Sequence, residues 1–320
     1  MNTSVIIPAY NNENTISDVL EALNNQKYSV GEFEVIIIDD NSTDSTPKKI
    51  QNSGFKLYNN EINRGLAYSL NKGIEKSKNE IIVTLHGDTI PQSEKWLETL
   101  IEPLKNKQVA ASCSNQLPPA LDAENTSIWE ELLWAKQKQH CALNNKADAY
   151  RKKILIKIGL FDSETYRTAG EDEDIAVRIK KAGYSISESK ATVSHNHKFK
   201  GTSFEQLKGI LHKEYIFGRS GGSLRRKYPG YPLGTHLFPK SRGILYDGSL
   251  RVIICIGSLL PKIYPIYCVG LLIMSLKGIT STLIKTQKIL VIPLYPIFNI
   301  IRYYTYSLGY LLGLIKGNQS

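Results

Sequence analysis

Cysteine is sparse in this 320-residue chain: Cys113, Cys141, Cys255 and Cys268 are its four, and none stands in a CxxC pair or at zinc-site spacing. A structural zinc centre and a disulfide-dense scaffold are therefore excluded, and reduced, buried thiols in a cytosolic compartment are the expectation. Its 23 Gly and 13 Pro follow no period and form no tract, which excludes collagen-like and low-complexity architectures. The opening residues lack the basic segment and long apolar run of a secretory leader, so none is expected. With 42% apolar and 22% charged residues the chain is not disordered and has material for a sizeable core.

Acid is what the second half lacks. Residues 198–320 hold Glu205, Glu214 and Asp247 against 17 Lys and Arg, a net of +14, whereas residues 1–197 carry 23 basic and 27 acidic side chains, a net of −4. A tail both basic and greasy suits an anionic surface, either nucleic acid or anionic lipid. Its basic residues are interleaved with aliphatic runs and prolines, and no recognition helix or RNP-like strand is present, so no nucleic-acid partner is expected.

In the first half, short β-branched runs alternate with helix-length amphipathic segments. Ser4–Ile7, Val35–Ile38 and Ile81–Leu85 are apolar on both faces, as buried parallel strands are. Between them Ile16, Val19, Leu20 and Leu23 recur at helical spacing, as do Leu66, Leu70 and Ile74. The alternation predicts right-handed crossovers and a mostly parallel α/β sheet flanked by helices. Ligands of such sheets bind beyond the carboxyl ends of the strands. Here those ends carry Pro8-Ala9-Tyr10-Asn11-Asn12, Asp39-Asp40-Asn41-Ser42-Thr43-Asp44 and His86-Gly87-Asp88. Three polar or acidic ends on one rim exceed what helix capping requires and point to a ligand site.

These blocks, with Asn63-Arg64-Gly65, Asn71-Lys72-Gly73, Ile158-Gly159-Leu160-Phe161-Asp162, Gly170-Glu171-Asp172-Glu173-Asp174-Ile175 and His195, stand in order at family-like intervals and resemble family 2 glycosyltransferases over about residues 1–200. The resemblance implies the Rossmann-like GT-A fold and a nucleotide-diphosphate sugar donor. It makes Asp88 the carboxylate of a DxD-type motif that holds Mn²⁺ or Mg²⁺, with His86 replacing the first acid. Imidazole ligates Mn²⁺, whereas Mg²⁺ prefers oxygen, so the substitution bears on which metal is used; as an alternative, His86 contacts ribose or water. Asp39 and Asp40 are implied to contact ribose and base, with Asp40 favoured for the base. Pro8, Ala9 and Tyr10 are implied to support the base, although Tyr10 could equally pack under the first helix. Arg64 and Gly65 join the nucleotide-sugar site, and Gly65 and Gly73 permit close helix–strand approach. Asp172 falls at the family's general base, with Glu171 and Asp174 in support; a capping acid at a helix start is the alternative. His195, after a strand over Ser185–Ser194, approaches the diphosphate or its metal, with His197 a second candidate.

Beyond residue 200 a basic region (201–251) precedes two apolar tracts, 252–276 and 289–315. Each reaches spanning length only by tolerating one charge and two prolines. Buried helices of a soluble subdomain, helices lying in the membrane interface and a two-span hairpin all remain open. In the membrane versions the basic residues put the enzyme on the cytoplasmic face. The domain expectation is thus 1–200 for catalysis, 201–251 for a basic, acceptor-side region and 252–320 for membrane-associating helices. The functional expectation is an inverting glycosyltransferase acting on a glycan or polyprenyl-linked acceptor. A polyprenyl-phosphate sugar synthase and a silent nucleotide-binding scaffold are the alternatives.

Overall fold

A computed structural model of the protein describes residues 1–117, 126–134, 140–141, 143–195, 201–231, 248–260, 264–276 and 291–317. By their internal contacts these fall into two units. Unit one takes residues 1–117 and 140–195; unit two takes the remainder of the described chain.

Unit one is a nine-stranded sheet: β1 (Thr3–Ala9), β2 (Phe33–Asp39), β3 (Lys56–Asn59), β4 (Ile81–Leu85), β5 (Thr89–Pro91), β6 (Val109–Gln116), β7 (His140–Cys141), β8 (Ala147–Arg151) and β9 (Ser185–His195). Its order is β3-β2-β1-β4-β8-β6-β9-β5, with β7 on β6. Helices α1 (Ile16–Asn24), α2 (Thr46–Asn52), α3 (Leu66–Lys76) and α4 (Trp96–Ile101) belong to this unit. The expected parallel sheet is found in β3-β2-β1-β4. From there the sheet is mixed, because β8 runs antiparallel to both β4 and β6, and β5 antiparallel to β9. Val5, Ile6, Ile7, Ile37 and Ile38 are fully buried, as strands covered on both faces require. Ile16, Val19 and Leu23 of α1 close one side of that core. A methyl on Gly73 of α3 would overlap Ile6 of β1, so this glycine does permit the close helix–strand approach expected of it.

Unit two holds α5 (Ile128–Trp134), and unit one resumes with α6 (Lys152–Ile158) and α7 (Glu171–Lys181). The rest of unit two is α8 (Ser203–Lys227), α9 (Gly248–Gly257), α10 (Tyr264–Leu276) and α11 (Val291–Lys316). The apolar tract 252–276 is therefore two short helices rather than one long one, with Pro261 and Pro265 between or at their ends. Among the described residues no helix is long and apolar enough to cross a membrane.

The expectation of four reduced, buried thiols is corrected. Cys113, on the strand that pairs with β7, is disulfide-bonded. Cys255 is free and buried, and Cys268 is free but exposed.

Candidate active site

The sheet edge formed by the carboxyl ends of β1, β2 and β4 is shaped by its loops. The Asp40 N–H donates to Ala9 O (2.8 Å), Asn12 N–H to Thr46 Oγ1 (2.8 Å) and Thr15 Oγ1 to Gly87 O (2.7 Å). Pro8 and Ala9 lie within β1, and Tyr10 just beyond it is 48% exposed, so it does not pack beneath α1.

Asp39 and Asp40 are both buried but differ in what they hold. Asp40 Oδ1 accepts from Arg64 N–H (2.9 Å) and Asn60 Nδ2 (2.7 Å), and its Oδ2 accepts from Gly65 N–H (2.8 Å). Asp39 Oδ2 accepts from Ser42 N–H (3.0 Å), while its buried Oδ1 has no hydrogen-bond partner among the described residues. The carboxylate favoured for the base thus holds the 60–65 loop, and the acceptor left over belongs to its neighbour. Gly65, at φ +88°, has no room for a side chain because a methyl there would overlap Arg167. It serves the approach of two loops, not of a helix to a strand. The Arg64 guanidinium lies 4.3 Å over the Tyr68 ring.

At the end of β4, His86, Asp88 and His195 gather. Antiparallel pairing sets Thr89 opposite His195, which is the last residue of β9 and one position beyond the expected strand end. That register brings His195 Nε2 to 3.1 Å from Asp88 Oδ2. Burial would raise the Asp88 carboxyl, but the hydrogen bond and charge of His195, with His86 and Lys146 beyond, carry it well below the usual carboxylate range. Burial pushes the half-buried His86 imidazole down to about 4 against the pull of Asp88, and its buried Nε2 has no partner among the described residues. His197 lies outside the described residues. Among the described residues no group of three or more His, Cys, Asp or Glu is disposed to hold a metal ion. The Asp88–His195 pair and the orphaned His86 nitrogen do fit a cation that takes its other ligands from the oxygens of a diphosphate.

Lys146, Asp148 and Asn145 are functional candidates that sequence reasoning missed. Antiparallel β8 sets Ala147 opposite Leu85, and His86 N–H donates to Lys146 O (3.0 Å), so the loop before β8 shares the rim. Asn145 sits at φ +59° with its N–H on Asp148 Oδ2 (2.7 Å), which also accepts from Asn144 N–H (2.8 Å). Burial pushes Asp148 up to about 8 despite these bonds. Half-buried Lys146 makes no side-chain hydrogen bond or ion pair among the described residues. Its ammonium is pulled down by burial and held up by Asp88, Asp172 and Asp148, all within Coulombic reach. The only sequence signal was the Asn144-Asn145 pair, a turn former ahead of a strand that had not been recognised.

α7 begins after Gly170 in the left-handed region, φ +95°. Of its four leading acids, Asp174 is spent on an ion pair with Arg178 (2.6 Å). Glu171 is buried, with Oε1 accepting from Asn145 Nδ2 (3.2 Å) and Oε2 unpartnered, and burial together with the Asp172 charge pushes it up to about 8. Asp172 is half-buried, accepts from Glu173 N–H (2.8 Å) and is raised by burial. Lys146 feels the charge of both Asp88 and Asp172, and Arg167 O, accepting from Leu66 N–H (2.9 Å), ties the loop held by Asp40 to the segment that opens α7.

A doubly covered sheet of this order, with an acidic rim, is the GT-A fold of nucleotide-sugar glycosyltransferases. The chain matches the model of glycosyl transferase family 2 over residues 4–163, half its length, and belongs to that family; it is a glycosyltransferase. It is 26% identical over 338 residues to the dolichyl N-acetyl-alpha-D-glucosaminyl phosphate 3-beta-D-2,3-diacetamido-2,3-dideoxy-beta-D-glucuronosyltransferase of Methanococcus voltae, covering 99% of this chain and 98% of that relative. Glycosyltransferase AglE of Haloferax volcanii is 36% identical over 195 residues, 58% of this chain and 63% of its own. Among solved structures, the mannosyltransferase PcManGT from Pyrobaculum calidifontis, in complex with GDP-Man and Mn²⁺, aligns with a TM-score of 0.61 at 17% identity, over 98% of this chain and 87% of that one.

Proposed function

We propose that this glycosyltransferase moves a sugar, with inversion, from a nucleotide-diphosphate sugar to a hydroxyl of a lipid-linked glycan at the cytoplasmic face of a membrane. The observation that carries the reading is the rim at the end of β4, where Asp88 Oδ2 lies 3.1 Å from His195 Nε2 and where Lys146, unpaired among the described residues, feels the charge of both Asp88 and the candidate base Asp172. The lipid-linked acceptor is supported by the Methanococcus relative, whose name specifies a dolichyl phosphate substrate.

In this reading Asp39 Oδ1 accepts from the base or ribose, Pro8, Ala9 and Tyr10 border the base, and Asp40 fixes Arg64 and Gly65 beside it. Asp88 and His195, with His86 behind them, would hold a divalent cation, which would supply positive charge to neutralise the departing diphosphate. Lys146 adds a fixed positive charge. Asp172 takes the proton of the acceptor hydroxyl as its oxygen bonds to the anomeric carbon. The bond to the β-phosphate oxygen breaks on the opposite face, and the electron pair leaves with the nucleoside diphosphate. Glu171, kept protonated by burial, supports Asp172 without competing for that proton. On this reading residues 1–200, apart from the α5 segment that belongs to unit two, carry catalysis, 201–251 serve the acceptor side and 252–320 associate with the membrane.

The test is a panel of nucleotide sugars with Mn²⁺ or Mg²⁺ and a lipid extract, scored by nucleotide release and by label entering the lipid phase. Transfer to lipid, abolished in Asp88→Ala, is expected. Nucleotide binding without turnover of any donor would establish the silent-scaffold alternative instead.

A further inference from the structure

Unit two is inside out by the standard of a water-soluble helical assembly. In α10 the residues facing outward, Ile266 (75% exposed), Val269, Leu272 and Ile273 (66%), recur at three- and four-residue spacing along one face, and the helix carries no charge. Leu250, Ile253 and Ile256 make a similar outward row on α9. The polar side chains point inward. Asn299 Nδ2 donates to Ser275 O (3.0 Å), Tyr303 Oη to Met274 O (2.9 Å), and Ser258 Oγ shares a hydrogen bond with Tyr304 Oη (2.6 Å). Glu214 is buried in an ion pair with Arg302, with Arg251 at 3.7 Å. Polar groups satisfied internally beneath an aliphatic exterior suit a hydrocarbon surround.

We propose that the outward faces of α9 and α10 are an anchor that lies side-on in the interface of an anionic leaflet and does not cross it. This deepens the membrane reading above and rests on it. The described lengths favour lying in the interface: at 1.5 Å per residue, the ten and thirteen described residues span roughly 15 and 20 Å against about 30 Å of hydrocarbon, and among the described residues no helix is long and apolar enough to cross a membrane. Charge selects the lipid. Of the three acids after residue 197, Glu205 closes the capping box of α8, Glu214 is buried between arginines and Asp247 lies outside the described residues, while Lys208, Arg226 and Lys316 are exposed.

Cys268 is a built-in reporter, being a free, exposed thiol on α10, whereas Cys255 is buried and Cys113 disulfide-bonded. The full chain, carrying an environment-sensitive dye on Cys268, is mixed with vesicles of phosphatidylcholine with or without phosphatidylglycerol. On the anionic vesicles the dye should shift to the blue and be quenched by nitroxides at shallow acyl positions. The double variant Ile266→Asp/Ile273→Asp should bind them about tenfold or more weakly, with unchanged helix content and unchanged affinity for nucleotide. Deepest quenching at the bilayer centre, binding indifferent to the double variant, or lipid-free dimerisation that buries Cys268 would each overturn the proposal. Vesicle binding that persists in Asp88→Ala separates the anchor from the catalytic reading, since that variant removes metal binding and turnover without altering the residues of α9 and α10.

Discussion

His195 Nε2 lies 3.1 Å from Asp88 Oδ2, although 107 positions separate them in sequence, because β5 and β9 pair in a register that sets Thr89 against His195. The histidine orients the carboxylate and holds it ionised. His195→Ala should therefore weaken affinity for Mn²⁺ in the presence of nucleoside diphosphate by about 10- to 100-fold, as loss of an orienting partner does. Asp88→Ala should cost roughly 10²- to 10⁴-fold in turnover. Titration calorimetry with and without the metal reads the first effect and nucleotide release the second. An unchanged metal affinity in His195→Ala would remove that residue from the site.

Asp172 must be ionised to accept a proton, and burial raises its carboxyl. The rate of transfer should consequently climb as pH rises through that raised pKa and be lost as pH falls below it. Asp172→Asn should lower the rate by about 10²- to 10⁴-fold for a hydroxyl acceptor and abolish this acidic limb. A variant that kept its rate would point to an acceptor already anionic, as in a polyprenyl-phosphate sugar synthase. The measurement is a pH profile of kcat for wild type and variant at saturating donor.

Lys146 has no ion-pair partner among the described residues, and on the proposed reading it stands where a diphosphate would bring negative charge. Replacing it with Met keeps the buried stem and removes the charge. The loss of one charge-assisted contact, about 1.5–3 kcal/mol, should raise the dissociation constant for the nucleoside diphosphate roughly 10- to 100-fold. Nucleoside, which lacks the phosphates, should bind as before. Equal loss for both ligands would mean that Lys146 supports the loop rather than meeting the anion.

What the sequence made legible follows from where its signals are local. The runs at Ser4–Ile7, Val35–Ile38 and Ile81–Leu85 mark strands because covering both faces demands unbroken β-branched residues, and polar or acidic residues at their ends show the rim. Lys146 stayed hidden because it reaches that rim only through the antiparallel pairing of β8 with β4, which no local pattern announces. Which of Asp39 and Asp40 keeps an acceptor oxygen in reserve was equally illegible. It depends on which carboxylate meets the Arg64 and Gly65 amides, a fact of loop path rather than residue type. In unit two, hydropathy found the apolar tracts but not the break of 252–276 into two helices, nor the polar network within.

The same unit contains a second pattern readable in the chain, Gly218-x-x-x-Gly222 and Gly309-x-x-x-Gly313. A methyl on Gly218 would overlap the carbonyl oxygen of Tyr306, one on Gly222 that of Tyr310, one on Gly309 that of Tyr215 and one on Gly313 that of Arg219. Helices α8 and α11 therefore touch backbone to backbone, with glycines from each seated on carbonyls of the other, the arrangement of small-residue packing in membrane helices. Neither helix can rotate away without giving up the seat of the other. Gly222→Ala and Gly313→Ala should each destabilise this unit by about 1–3 kcal/mol through overpacking of backbone that cannot yield. In the double variant the losses should fall short of their sum, since the first separation already makes room for the second methyl. Thermal unfolding of the full chain, followed by circular dichroism in the presence of anionic vesicles, measures all three. Full additivity would mean that the two contacts yield independently and that α8 and α11 do not move as one pair.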